Sequence, residues 1–279
     1  MGIWKMGNFS FPLGKKTYIM GILNVTPDSF SDGGKYLDPA GAAVHALEMQ
    51  EQGADIIDIG AQSTRPGYTR ISPEEESGRL IPVLDALRDR LSVPISVDTF
   101  YPRVAALALE HGASVINDVT GFSDPGMFRL ASRSGCGCVI MHNGEVHDED
   151  CVEKDVLERV KCFFELRLRQ AEEYGVSRER ICLDPGVGFG KTLEENLKLL
   201  ANVDQVKLPG CAFLMAASRK RVIGAPCGNP PFQERLAGTI AAHTLAQAGG
   251  ADVLRVHDVR EAVQAALVAD AVLGQRVKG

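Results

Sequence analysis

Tyr18-Ile19-Met20-Gly21-Ile22-Leu23 runs into Asn24, and further along Ala54-Asp55-Ile56-Ile57-Asp58-Ile59 runs into Gly60. Between them lies a stretch of helical spacing over 40–52, closed by Gly53-Ala54. A brief run rich in Val, Ile and Leu is too short for a helix and reads as a buried strand. Strand, helix and strand in succession read as a parallel unit with a crossover helix. The same phrase recurs as Ile95-Ser96-Val97 into Asp98, Ser114-Val115-Ile116 into Asn117, and Cys138-Val139-Ile140-Met141 into His142. It returns as Arg180-Ile181-Cys182-Leu183 into Asp184, Ala212-Phe213-Leu214-Met215-Ala216 towards Ser218, and Asp252-Val253-Leu254-Arg255-Val256 into His257. Helical spacing falls at 74–90, 102–111, 155–174 and 193–201, and Gly112-Ala113 closes one of these stretches. Eight such units in 279 residues predict a single α/β (β/α)8 TIM barrel over 17–279. An open doubly wound sheet is the alternative. Residues 1–16 stand outside the pattern, and Phe9-Ser10-Phe11-Pro12-Leu13-Gly14-Lys15-Lys16 reads as part of a hairpin-like extension plugging the N-terminal face.

Composition narrows the function classes. The chain is 45% hydrophobic and 24% charged, as soluble globular proteins are. Thirty Lys and Arg against 36 Asp and Glu leave a net charge of −6. That balance excludes a strongly basic nucleic-acid or membrane-surface protein, so any anion site is local. No apolar run reaches the ~18 residues of a membrane-spanning helix, and Met1-Gly2-Ile3-Trp4-Lys5 lacks the apolar core of a secretory signal. Seven cysteines without a Cys-x-x-Cys pair argue against a disulfide framework or zinc ribbon and for reduced thiols in the cytoplasm. Cys136-Gly137-Cys138 reads as a strand entry, with metal or redox chemistry as the alternative.

The active site of such a barrel is built at the C-terminal ends of its strands. Asn24, Asp98, Asn117, His142, Asp184, Lys220, Arg255 and His257 stand at or just past those ends. A lone strand-end Asp or Asn often only caps the following helix. As a set they have two characters. Asp98, Asn117 and Asp184 offer acceptors and an amide, suited to a heteroaromatic edge with paired N–H donors. Arg65, Arg255 and His257, with Lys220 nearby, suit a phosphate group. Asn24 adds an oxygen that a hard cation such as Mg2+ accepts. Two loops, Asn24-Val25-Thr26-Pro27-Asp28-Ser29-Phe30-Ser31-Asp32-Gly33-Gly34 and Ala61-Gln62-Ser63-Thr64-Arg65-Pro66-Gly67-Tyr68, read either as surface connections or as lids that exclude water. Asp184-Pro185-Gly186-Val187-Gly188-Phe189-Gly190-Lys191-Thr192 falls one residue short of a phosphate-binding P-loop and lacks the dinucleotide spacing. Its glycines suit close approach of backbone to a flat ligand, with Phe189 free to stack.

The first of those loops, Ser63-Thr64-Arg65-Pro66-Gly67 of the second, the Asp184–Thr192 motif and Ser218-Arg219-Lys220 resemble the signatures of the dihydropteroate synthase family of pterin-binding enzymes. Asp98-Thr99, Asn117-Asp118, Met141-His142 and Arg255-Val256-His257-Asp258 fit the same family, in order, from about Ile19 to His257. The resemblance implies a (β/α)8 barrel acting as an alkyl-group transferase in folate synthesis. Such an enzyme joins 6-hydroxymethyl-7,8-dihydropterin diphosphate to p-aminobenzoate with Mg2+, and releases diphosphate. Carried over by position, Asp98, Asn117, Asp184 and Lys220 hold the pterin, with Met141 and Phe189 on its faces. Asn24, Thr64, Arg65, Arg255 and His257 hold the diphosphate, and Asn24 is also the Mg2+ ligand. Phe30, Pro66, Lys220 and Arg221 enclose p-aminobenzoate. The residues assigned to catalysis are Arg65, Asp98, Lys220, Arg255 and His257. The resemblance also implies a cytoplasmic homodimer through the later helices, and the apolar residues of 236–248 and 263–273 suit either that or core packing.

Physical chemistry points the same way. The pterin edge presents N–H donors to a carboxylate, the leaving group is a polyanion, and the arylamine is neutral and nucleophilic. An SN1-like displacement driven by electrostatics and positioning needs no covalent nucleophile. The sequence departs from the family at Ala61-Gln62, where Gly-Glu is usual, at Arg221, where Ser is frequent, and over 143–150. Two alternatives follow: a pterin-binding methyltransferase serving a corrinoid partner, and a pterin-binding paralogue without synthase activity.

Overall fold

The computed structural model describes residues 2–26, 38–62, 69–144, 151 and 155–275. Eight parallel strands close into a barrel: β3 (Tyr18–Asn24), β4 (Ile56–Gly60), β5 (Ile95–Asp98), β6 (Val115–Asp118), β7 (Gly137–Met141), β8 (Ile181–Asp184), β9 (Ala212–Met215) and β10 (Val253–Val256). They follow one another around the ring in chain order, and β10 closes onto β3 with Arg255 beside Met20. Around them lie α1 (Pro39–Glu51), α2 (Pro73–Leu87), α3 (Pro102–Glu110), α4 (Pro125–Ser134), α5 (Val156–Glu173), α6 (Leu193–Ala201), the short α7 (Val203–Val206) and α8 (Arg221–Gly224), then α9 (Leu236–Ala248) and α10 (Val259–Leu273). The barrel, rather than the open sheet, is the fold.

Each of α1 to α4 begins with a proline in its first turn, where the missing N–H costs nothing. Thr192 and Glu195 form a reciprocal capping box at α6. Helix α4 is not among the helical stretches picked out by spacing. It is bounded by Asp124, whose side chain accepts the Gly126 N–H, and by the left-handed Gly135.

Strand alternation divides the apolar residues into two layers. Ile19, Leu23, Ile57, Ile59, Val97 and Ile140 face outward and pack under the helices. There β3 lies so close to its helices that a Cβ on Gly21 would come within 2.8 Å of Met49 Sδ. Met20, Ile56, Val115, Val139, Cys182, Leu214 and Val253 face inward and fill the lower barrel. The antiparallel hairpin of β1 (Ile3–Met6) and β2 (Phe9–Pro12) seals that end, adding fully buried Trp4 and Met6 to the inner cluster. Trp4 Nε1 donates to Arg180 O at 3.2 Å.

One expectation is corrected. Cys151 and Cys162 are joined by a disulfide, with Cα atoms 6.0 Å apart. The bridge ties the segment before α5 to the second turn of that helix. The remaining five cysteines are free thiols, four of them buried. Cys136 and Cys138 sit in the layer between barrel and helices, as a strand entry requires.

Glu76 on α2 is fully buried, and neither of its carboxylate oxygens has a hydrogen-bond partner. Burial pushes its carboxyl up to about 7. A proton held more tightly folded than unfolded gives stability that is complete below the unfolded pKa and lost as pH rises through the folded one. Between about pH 4.5 and 8, the stability difference between Glu76→Gln and the parent should therefore move in the variant's favour by about 1–3 kcal/mol. Denaturant unfolding at the two pH values measures it.

Candidate active site

The same alternation that fills the lower barrel with hydrocarbon makes its upper inward layer polar. In phase with Ile56 comes Asp58, and in phase with Val115 comes Asn117. Ser96 is followed by Asp98, Cys182 by Asp184 and Val253 by Arg255. A packed core would not place three carboxylates, an amide and a guanidinium on one level. Above this level a cavity of about 910 Å³ opens at the C-terminal mouth.

Arg255 crosses the floor. Its Nε donates to Asp58 Oδ2 at 2.6 Å and its Nη2 to Asp98 Oδ2 at 3.2 Å. Asn117 Nδ2 donates to the same Asp58 oxygen at 3.1 Å. Burial, reinforced by Asp58 and Glu76 and opposed by Arg255, raises Asp98 to about 7. Asp58 carries no role in the sequence reading, because it lies inside an apolar run rather than at its end. Its position in phase with Gly60 is the signal that identifies it.

The second group hangs from β8. Asp184 Oδ1 accepts the Gly186 N–H at 2.7 Å. Gly186 has φ +65°, and a Cβ there would lie 2.0 Å from His142 O, so only glycine fits. Lys220 Nζ donates to Val187 O at 2.6 Å and stands 4.7 Å from the Phe189 ring centroid. Burial lowers Lys220 to about 8 against the pull of Asp184, and burial raises Asp184 against the pull of Lys220. Met141, Phe100 and Val119 form an apolar wall, with Phe189 packed on it.

The rim is cationic and aromatic. His257 Nδ1 lies 3.0 Å from Ser218 Oγ, which accepts the His257 backbone N–H at 3.2 Å. Phe232 packs edge-on against the His257 ring, centroids 5.2 Å apart. Arg219 pairs with Asp258 and lies over the Phe232 ring, 5.2 Å from its centroid. Arg221 is exposed at the start of α8 and lines the mouth, as does Asn24 at the end of β3.

Of the predicted site residues, Asn24, Asp98, Asn117, Met141, Asp184, Phe189, Lys220, Arg221, Arg255 and His257 line this one cavity. Phe30, Thr64, Arg65 and Pro66 lie outside the described residues. His142 is corrected. It follows inward-facing Met141, so its ring turns outward onto Phe163, at a centroid distance of 5.1 Å. Burial holds it down to about 3, a neutral core histidine.

Comparison with known proteins adds to this geometry. The pterin binding enzyme family model matches residues 20–257. The chain belongs to that family. The dihydropteroate synthase of Clostridium beijerinckii is 42% identical over 271 residues, covering 96% of this chain and 99% of the relative. That of Escherichia coli K12 is 41% identical and covers 93% of each. Among solved structures, the Xanthomonas albilineans dihydropteroate synthase with 4-aminobenzoic acid superposes with a TM-score of 0.90 at 40% identity, covering 99% of this chain and all of that one. The Clostridium difficile enzyme, solved in the presence of pteroic acid, gives 0.88 at 44% identity over 94% and 98% of the two chains.

Within this pterin-binding frame Arg255 is also a structural cation, because two floor carboxylates depend on it. Arg255→Met is expected to cost about 3–5 kcal/mol of stability near neutral pH, since it strands buried charge. The loss should shrink on acidification, as Asp98 takes up a proton. Thermal unfolding across pH checks this, and a pH-independent loss would contradict the pairing.

Proposed function

We propose that the protein acts as a dihydropteroate synthase. It condenses 6-hydroxymethyl-7,8-dihydropterin diphosphate with p-aminobenzoate, giving 7,8-dihydropteroate and diphosphate. The observation that carries the reading is the cavity itself: a carboxylate and amide floor, an apolar wall and a cationic rim in a chain about 40–44% identical to dihydropteroate synthases. The pterin lies between Met141 and Phe189, with ring N–H donors on Asp184 and with Asp98, Asn117 and Lys220 around its edge. Arg255 has five N–H donors and gives two to Asp58 and Asp98, so three remain for ligand. These, with His257, Thr64 and Arg65, receive the diphosphate. Lys220 and Arg221 meet the p-aminobenzoate carboxylate, and Phe30 and Pro66 enclose its ring.

The reaction is a displacement with SN1 character. The bond from the pterin methylene carbon to the diphosphate oxygen breaks as cations at the rim take up the charge. The methylene cation is delocalised into the pterin, and the arylamine lone pair closes the new C–N bond before losing its proton. Fixed dipoles and charges do the work. Mg2+ suits the donor set. Gly60 leaves a side-chain-free notch bordered by Asn24 Oδ1 and Asp98 Oδ2, at 3.7 and 3.9 Å from where its Cβ would sit. Hard oxygens with room for phosphate oxygens and water fit that ion. When bound, it neutralises the diphosphate. Asn24 Oδ1 and Asp98 Oδ2 are the protein oxygens that would hold it.

The active form is a homodimer. Leu245 on α9 and Leu267, Val268 and Val272 on α10 are each more than 60% exposed on two adjacent helices, an apolar face suited to a second copy. The free thiols suit the cytoplasm, with the Cys151–Cys162 bridge as the exception. No helix among the described residues is long and apolar enough to cross a membrane.

Steady-state release of diphosphate with and without p-aminobenzoate tests the activity. Release that requires the arylamine is expected, whereas pterin diphosphate binding without turnover would mark a binding module. Asp184→Asn should weaken pterin binding roughly tenfold to a hundredfold, because an amide mispairs with two ring donors. Unchanged affinity in calorimetry would remove Asp184 from the pocket. Val268→Glu with Leu267→Lys should halve the mass seen in sedimentation, and an unaltered dimer would place the interface elsewhere.

A further inference from the structure

Lys191 closes the glycine-rich motif, and the chemistry above leaves it without a task. Its side chain lines the cavity, yet its ammonium is given to the backbone. Nζ donates to three backbone carbonyls: His142 O at 3.0 Å, Gly186 O at 3.0 Å and Phe189 O at 3.1 Å. No carboxylate pairs with it among the described residues. An ammonium has three N–H donors, and here each has one carbonyl. Three converging carbonyls are the surroundings in which a small monovalent cation loses its water. Burial pulls the Lys191 ammonium down to about 7, with the Asp184 charge opposing.

The carbonyls come from two places. His142 follows β7, while Gly186 and Phe189 belong to the turn after β8. The cation therefore pins one strand end to the next. Gly144 N donates to Phe189 O at 3.3 Å across the same seam. From the other side Asn196 Oδ1 accepts the Gly188 N–H at 2.7 Å, and its Nδ2 donates to Lys191 O at 3.2 Å. Two cavity-lining groups lie within this braced segment, the Asp184 carboxylate and the Phe189 ring, together with the Val187 carbonyl that holds Lys220. All three ammonium protons are engaged, so the lysine is not a phosphate ligand despite the near-P-loop spelling.

We infer that Lys191 is a positioning residue, the built-in cation of a three-carbonyl cage that holds the 184–191 segment in its ligand-binding shape. The ligand in this statement rests on the pterin reading above; the cage rests on the hydrogen bonds alone.

Lys191→Ala would leave three carbonyl dipoles converging on an empty space that ammonium or ethylammonium can enter. Lys191→Met fills the space without any N–H. Titration of the pterin diphosphate should show both variants weakened at least about tenfold. About 100 mM ammonium or ethylammonium chloride should restore at least about fivefold to Lys191→Ala and raise its Tm, because an ion bound only by the folded state stabilises it. Tetramethylammonium chloride at equal ionic strength has no N–H and should do neither, and Lys191→Met and the parent should respond to none of the salts. Parental affinity in Lys191→Ala, or equal responses to ammonium and tetramethylammonium, would overturn the inference. Thermal scans need no ligand, so a parent that fails to bind pterin counts against the function reading while ammonium-specific stabilisation of Lys191→Ala still supports the cage. If neither variant folds, hydrogen exchange of the ammonium protons in the parent, read by 15N NMR, decides. Those of Lys191 should exchange at least about tenfold more slowly than those of exposed Lys198, because each is held by a carbonyl; an equal rate would overturn the cage.

Discussion

One guanidinium holds the mouth of this barrel together. Alternation along β4 and β5 forces Asp58 and Asp98 into the same inward layer, where water is scarce and two like charges repel. Arg255 reaches over from β10 and bonds both. Removing either carboxylate, or the guanidinium, leaves the others unbalanced in a low dielectric, so the triad stands as a unit. Its cost is set against the use of a site whose charges are already oriented before a substrate arrives. A donor that is fixed in place need not reorganise when charge develops.

The second half of the cavity obeys a different rule. Between β7 and β8 the constraint is backbone accommodation rather than charge balance. Gly186 lies against His142 O, Gly144 lies against Gly190 O, and neither tolerates a side chain. Carbonyls crowded in this way need donors, and Lys191, Lys220 and Asn196 supply them. The turn after β8 is thus rigid for reasons internal to itself. It carries Asp184 and Phe189 to opposite aspects of the same space, one polar and one flat. A planar, nitrogen-rich ring fits such a space better than a flexible chain does, because two χ angles and one strand end already fix its neighbours.

The fold was legible because the strands are short apolar runs, most of them ended by a polar residue, and chain order around the barrel is sequence order. The site was legible at Asn24, Asp98, Asn117, Asp184, Arg255 and His257 for the same reason. Where the reading failed, it looked at strand ends and ignored strand phase. Asp58 is two residues before the end of β4 and points inward. His142 is one residue past the end of β7 and points outward. Period-two alternation distinguishes them, and neither judgement needs the structure. Helix α4 escaped because it is only ten residues long and polar on average, although Met127, Phe128 and Ala131 share its buried face and Asp124-Pro125 and Gly135 mark its two ends. The Cys151–Cys162 bridge was beyond reach, since pairing depends on how the segment after β7 returns to α5, which composition does not encode.

An acidic chain can still receive a polyanion if its cations are unevenly spent. Arg219 is neutralised by Asp258 and Arg255 by two carboxylates, so neither offers a full free charge at the mouth. Arg221 is exposed on the mouth, and Lys220 is desolvated beside Asp184. His257 is held in place at the lip by Ser218, whose hydroxyl accepts the His257 backbone N–H and lies 3.0 Å from Nδ1. The floor thus carries its counter-charge in Arg255, while at the lip Arg221 is exposed and has no ion pair among the described residues. That gradient orients a ligand with a neutral ring and an anionic tail, ring down and tail out, and it does so without any excess of positive charge over the molecule as a whole.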